Sequence, residues 1–307
     1  MGKHIPVLLN EVIEGLNIKS DGIYFDLTLG RGGHSKEILK RLDKGHLYGV
    51  DQDITAINEC KDNLKDYSDK VTFIHNNFAN LEDILKQYNI NYVDGILMDL
   101  GVSSPQFDEE DRGFSYRYDA PLDMRMDIDN PLNAKIVVNT YSLNELCRIF
   151  KDYGEEKYAY QIAKNIVKAR EVKPIETTYE LVDIIKKSKP MRELAKAGHP
   201  AKQAFQALRI EVNKELDVLK IAIESAIKAL RPHGGRLAII TFQSLEDRIV
   251  KNAFKDQSVV VGNRIDGYME KEKEYRLVNN KPITASEEEL NNNPRAHSAK
   301  LRIIERK

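Results

Sequence analysis

Residues Asp26-Leu-Thr-Leu-Gly30-Arg-Gly32-Gly33-His34 stand between a short apolar run, Gly22–Leu27, and a helical pattern that begins near Ser35. Glycines so closely spaced let the backbone turn tightly and approach a bound group, and the helix that follows offers unpaired N–H groups. Strand, glycine turn and helix together form the opening unit of a parallel α/β sheet.

Outward from this turn the rhythm repeats. Apolar runs at His46–Val50, Val71–His75 and Val93–Met98 alternate with helical patterns at Ser35–Leu42, Ile54–Asn63 and Leu81–Tyr88. The next strand, Arg236–Phe242, comes only after residues 99–235, far more chain than one crossover needs. The excess predicts a mostly helical insertion over 107–212, with 1–106 and 213–307 forming the sheet domain. Within the insertion, Ser142 with Glu145 and Thr177 with Glu180 read as capping boxes. They open helices that should end near Gly154 and before Pro190, while Pro200–Leu230 reads as almost continuously helical. After Gly234-Gly235 the expected elements are the strand Arg236–Phe242, a helix Ser244–Phe254, a short strand Ser258–Val261 and a strand Lys300–Glu305. The polar segment Glu270–Asn293 is expected to be a solvated loop.

The chain's 307 residues, 41% of them hydrophobic, suffice for a sizeable core. Its 47 Lys+Arg against 48 Asp+Glu leave a net charge of −1, which excludes indiscriminate polycation binding. Locally the balance shifts: residues 181–236 carry +6 and residues 107–130 carry −5. No apolar run approaches the ~20 residues of a spanning helix. Lys3, His4, Asn10 and Glu11 do not read as a signal peptide, so a cytoplasmic location is expected. Cys60 and Cys147 form no ligand pair and the seven histidines show no ligand spacing, so no metal is expected. The acidic run Asp108–Asp111 reads as a solvated loop.

The second strand ends in Asp51, 21 residues after Gly30, where a carboxylate can accept both ribose hydroxyls of an adenosine. A dinucleotide fingerprint fails, because Ser35 occupies its last glycine position. Asp26, four residues before Gly30, suits S-adenosylmethionine instead; a dinucleotide and a plain structural turn stay open. Phe78, after the third strand, could stack on adenine or sit in the core. The fourth strand runs into Asp99-Leu-Gly-Val-Ser103-Ser104-Pro105-Gln106, and ligands of open sheets bind beyond the carboxyl ends of strands. Asp99, Ser103 and Ser104 are thus candidates to position a reacting amine. The turn resembles the Ser-Pro-Pro-Tyr turns of amino-methyltransferases, without the second proline and the aromatic; Phe107, Phe114 and Tyr116 are candidate stacking rings. Lys202, Gln206, Arg209 and Asn213 share a helix face suited to phosphate contacts, or simply to solvent. Phe205, Leu208, Val212 and Leu216 form the core-facing stripe.

Several segments combine into a more specific pattern. They are His4–Val12, Leu29–Ser35, Asp99–Gln106, Leu122–Asp127, His199–Leu216, Ser244–Lys251 and Asn293–Arg302. Together they resemble the bacterial small-subunit ribosomal RNA cytosine-N4-methyltransferase family, RsmH, also called MraW. The resemblance implies a Rossmann-like S-adenosylmethionine-dependent methyltransferase sheet with a helical insertion. It also implies methylation of the N4 amino group of a cytidine in the decoding region of 16S rRNA, with the small ribosomal subunit as partner. Carried over residue by residue, the cofactor contacts are Gly32, Gly33, His34, Asp51, Phe78, Asp99 and Gln106. Two positions depart from the family pattern: Gln243 where histidine is usual, and His297 where arginine is usual. A methyltransferase for DNA or small amines, and a non-catalytic RNA-binding assembly factor, are the alternatives.

Overall fold

The computed structural model describes residues 5–101, 110–258 and 273–307. Two compact units make up the chain, Met1–Gly101 with Asp217–Lys307, and Val102–Leu216.

The first unit is built on a seven-stranded sheet in the order β3-β2-β1-β4-β5-β7-β6. Its strands are β1 Ile23–Asp26, β2 His46–Asp51, β3 Val71–His75, β4 Gly95–Asp99, β5 Arg236–Thr241, β6 Tyr275–Leu277 and β7 Lys300–Arg306. Strands β1 to β5 are mutually parallel, while β7 runs antiparallel between β5 and β6. Both faces are covered, which explains why these strands read as unbroken apolar runs. Phe25, Ile96, Met98, Leu237 and Ile239 face one core with Leu219, Ile223 and Phe254. Their neighbours Tyr24, Leu97, Ala238 and Ile240 face the other, with Val12, Leu16, Ile38 and Leu39. Strand order reverses between β1 and β4, and such a switch point opens a crevice at the carboxyl ends.

Two expectations change in this unit. Of the segment 270–293, the described part 273–293 is no solvated loop, since it supplies β6 and a helix, Glu287–Asn292. Tyr275 is buried and its hydroxyl donates to Ile227 O at 3.2 Å. The three consecutive glutamates form the first helical turn, where negative charge is favoured, behind the N-cap Ser286. Ser258 ends the helix Ser244–Ser258, donating back to Phe254 O at 2.7 Å, rather than starting a strand. Residues 259–261 of that expected strand lie outside the described residues. The stretch from 200 to 230 is almost continuously helical, as expected, with the single residue Lys214, at φ +51°, between the helices Lys202–Asn213 and Glu215–Ala229.

The second unit is helical. The helices Ala134–Thr140, Leu143–Asp152, Ala159–Arg170, Thr178–Lys187 and Lys202–Asn213 surround a core of Leu146, Phe150, Ile162, Ile166, Leu181, Ile185 and Leu208. Both predicted capping boxes are formed, Ser142 with Glu145 and Thr177 with Glu180. Phe205, Leu208, Val212 and Leu216 are buried as the spacing requires. In the buried pair Lys189–Glu156, 2.6 Å apart, Lys189 Nζ also donates to Pro200 O at 2.7 Å, so its charge is met by a carboxylate and a carbonyl.

Candidate functional site

The glycine turn leaves β1 at Asp26, with Gly30 at φ +50° and Gly32 at φ +73°. A side chain at Gly32 would stand 2.9 Å from Cys60 Sγ, and one at Gly33 only 2.4 Å from Pro6 Cγ. Neither position tolerates bulk, and Gly32 also needs a left-handed backbone.

Carboxylates brace this turn from beneath. Asp26 accepts from Thr28 N at 3.2 Å and from Ser35 Oγ at 2.7 Å, tying the start of the turn to the helix after it. Asp51, at the end of β2, accepts from Gly30 N and Asp53 N, each at 2.9 Å. Each of its oxygens therefore keeps a lone pair for a further donor. Thr28 Oγ1 accepts from Asp99 N at 2.6 Å and links the turn to the end of β4. Burial, the dominant cause, pushes the carboxyls of Asp26 and Asp51 up to about 6.

Asp99 is the most perturbed of the three. Desolvation, reinforced by the charges of Asp26 and Glu246, pushes it up to about 8. Its Oδ1 is buried without a hydrogen-bond partner among the described residues, while the side chain as a whole keeps a quarter of its surface exposed. Its Oδ2 lies 3.7 Å from His34 Nδ1, beyond hydrogen-bond reach. The other nitrogen of His34, Nε2, sits 2.9 Å from Val7 O. A carbonyl can only accept, so Nε2 carries the proton, and in the neutral ring Nδ1 presents a lone pair toward Asp99. Among the described residues no lysine or arginine pairs with Asp26, Asp51 or Asp99.

Neighbouring loops close the same end. Asn77 accepts from Ala79 N at 2.9 Å and donates to Gln52 Oε1 at 2.9 Å, joining the loops after β3 and β2. Phe78 follows Asn77, partly buried and packed against the core. After β5, Glu246 accepts from Phe242 N at 2.9 Å and from Gln243 Nε2 at 2.8 Å. Gln243 Oε1 is thereby turned away from that carboxylate, and it too is buried without a partner among the described residues.

The structure thus brings together Gly32, Gly33, His34, Asp51 and Asp99, with Phe78 at the end of the neighbouring strand β3. Ser103, Ser104, Gln106 and Phe107 lie outside the described residues. The polar helix stripe of the second unit is divided. Lys202 is exposed, whereas Gln206 Nε2 donates to Tyr153 O at 2.9 Å and Arg209 forms a bidentate pair with Glu215 at 2.8 and 2.9 Å. Asn213 donates to Met124 O and accepts from Met126 N, each at 2.8 Å, holding the Leu122–Asp127 segment. Phe114 is buried in the core of that unit, and Tyr116 stacks on His199 with ring centres 4.2 Å apart. The support given by Val7 O and Thr28 was not foreseen. A main-chain carbonyl leaves no mark on a sequence, and one threonine in a turn is too common to single out. Gln243 was visible only as a departure from a pattern.

A "Ribosomal RNA small subunit methyltransferase H" of Clostridioides difficile (strain 630) is 53% identical over 307 residues, covering 99% of this chain and 98% of its own. A protein of the same name from Clostridium botulinum (strain Loch Maree / Type A3) is 53% identical over 313 residues, covering 98% of each. The profile of the MraW methylase family matches residues 1–307, so the glycine turn, the strand-end carboxylates and the helical unit fall within one continuous match, and the chain belongs to the MraW methylase family.

Proposed function

We infer that this protein transfers a methyl group from S-adenosylmethionine to the N4 amino group of a cytidine in 16S rRNA. The observation that carries the reading is the cluster of Asp26, Asp51 and Asp99 around the glycine turn, with no lysine or arginine among its described partners.

The residues fit the cofactor. Three desolvated carboxyls with raised pKa values, one of them with an orphaned oxygen, favour a cationic guest. In this reading the backbone of Gly32 and Gly33, with His34 and Asp99, holds the charged end, Asp51 accepts the ribose hydroxyls and Phe78 covers the adenine; Gln106 completes the set. Bound there, S-adenosylmethionine supplies a methyl group already activated by its sulfonium.

The protein's own task is then to position the nucleophile. The exocyclic amine of cytosine has its lone pair delocalised into the ring, and acceptors for its N–H groups localise that pair. Asp99, which ends β4, with Ser103 and Ser104 further along the chain, is proposed for this role, and Gln243 Oε1, without a partner among the described residues, adds an acceptor just after β5. The unit 107–212 is proposed to recognise the RNA, with Lys202 as the exposed residue of the stripe, since Gln206, Arg209 and the adjoining Asn213 are engaged within the protein. The partner is the small ribosomal subunit or its RNA, and the location the cytoplasm; no helix among the described residues is long and apolar enough to cross a membrane.

Mass mapping of 16S rRNA incubated with the purified protein and S-adenosylmethionine tests the reading. One added methyl on the N4 of a single cytidine is expected. Transfer to small amines in place of RNA would overturn the substrate. Tight cofactor binding with no transfer to any RNA form would favour an assembly factor.

A further inference from the structure

We propose that Glu289 and Asn293, on the C-terminal helix Glu287–Asn292 and its C-cap, are positioning residues for the cofactor end of the sheet, acting on His34 through the segment 5–8. The proposal rests on the reading of His34 and Asp99 as cofactor-binding residues.

Glu289 Oε1 accepts from Leu8 N at 2.8 Å, and Asn293 Nδ2 donates to Ile5 O at 3.1 Å. Between these two anchors hang Pro6 and Val7, the residues that touch the glycine turn. Pro6 fills the space beside Gly33, and Val7 O receives the proton-bearing nitrogen of His34. The other nitrogen faces Asp99, so the order of contacts runs Glu289, Leu8, Val7, His34, Asp99.

Leu8 shows that the segment is held rather than merely resting. It is fully buried at φ +53°, ψ 36°, a left-handed conformation that costs a branched side chain about 1–2 kcal/mol. Such a geometry persists where its surroundings over-determine it. The anchors are themselves fixed. Glu289 N donates to Ser286 Oγ at 3.2 Å and Asn293 N donates to Glu289 O at 2.7 Å, which sets both side chains one helical turn apart. Asn293 is 6% exposed. Glu287 and Glu288, the other two acids of the run, are exposed and serve as internal controls.

The test is calorimetric titration of S-adenosylhomocysteine into single and double variants, with thermal unfolding alongside. Glu289→Ala and Asn293→Ala should each weaken binding by about tenfold. Glu289→Gln, which keeps an acceptor oxygen, should stay within about threefold of the wild type, and Glu288→Ala within about twofold. In a His34→Ala background the Glu289→Ala effect should shrink below about twofold, because the residue it acts on is gone. An equal loss in both backgrounds, or failure of Glu289→Gln to restore binding in a folded protein, would reduce the contact to a tether and overturn the proposal. Should Glu289→Ala not fold, Asn293→Ala in the two backgrounds decides in the same way. A wild-type protein that binds no S-adenosylhomocysteine would instead sink the functional reading. The His34 ring then still reports on the coupling: its 15N shifts should change in Glu289→Ala, and unchanged shifts would overturn it.

Discussion

Two aspartates close the ends of one strand and lead opposite lives. Asp94, just before β4, is 5% exposed, receives Ile23 N at 3.0 Å and is flanked by Lys19 at 3.3 Å and Arg231 at 3.0 Å. Asp99, five residues on, has an orphaned oxygen, acidic neighbours and a histidine just out of reach. The amino end of the sheet satisfies its charge and the carboxyl end withholds partners from it. Satisfied burial marks structure, whereas burial left incomplete marks a place kept for something else.

Substitutions at the two ends should therefore separate stability from binding. Asp94→Ala leaves Ile23 N without its acceptor and removes the partner of two half-exposed cations, at about 2–3 kcal/mol. That corresponds to a melting temperature lower by roughly 10 °C, with S-adenosylhomocysteine affinity unchanged in the folded fraction. Loss of affinity without loss of stability would erase the contrast. Next in size, Asp51→Ala and Asp99→Ala should each cost about a hundredfold in affinity, or ~2.7 kcal/mol, by calorimetry. Wild-type affinity in both would remove the cofactor assignment.

Asp99→Asn sharpens the comparison through pH. The folded protein holds the Asp99 proton up to about 8, and an unfolded chain releases it near 4 (~3.9). Across that window the folded state binds more protons, so stability is full below it and falls as pH rises through it. Asparagine removes the fall. The variant should melt a few degrees above the wild type at a pH of about 8 and close to it at a pH of about 4. The same offset at both would show that Asp99 is not held protonated.

The smallest effects belong to the helical unit. Arg209→Met breaks a half-buried bidentate pair and should lower stability by about 1–2 kcal/mol in urea unfolding. Lys202→Ala should leave stability within about 0.5 kcal/mol while reducing the salt dependence of RNA binding by about one counterion. An unchanged salt slope would take Lys202 off the phosphate path.

Much of this was legible in the chain. The strands, the long detour after β4 and the carboxylates that close the strands could be read because periodicity and glycine spacing are local signals. The capping boxes at Ser142 and Thr177 were readable for the same reason. Residues 270–293 were misread because charge was taken for solvation. Tyr275 needs a partner strand to show its burial, and the glutamate run acquires meaning only beside a helix N-terminus. The stripe from Lys202 to Asn213 has the right face for phosphates, yet spacing cannot tell a free guanidinium from one already committed to Glu215. His34 can be located in the glycine turn from the chain, but its orientation depends on a carbonyl 27 residues away in sequence.

The hydrogen bond from Leu8 to Glu289 spans 281 residues. Translation proceeds from the first partner to the second, so a growing chain carries a 5–8 segment without this anchor until Glu289 leaves the ribosome. Closing so long a loop is a late and slow event in folding. A chain cut short before Glu289 could pair much of its sheet and still lack a settled glycine turn. The protein therefore becomes competent only after Glu289 itself has been made.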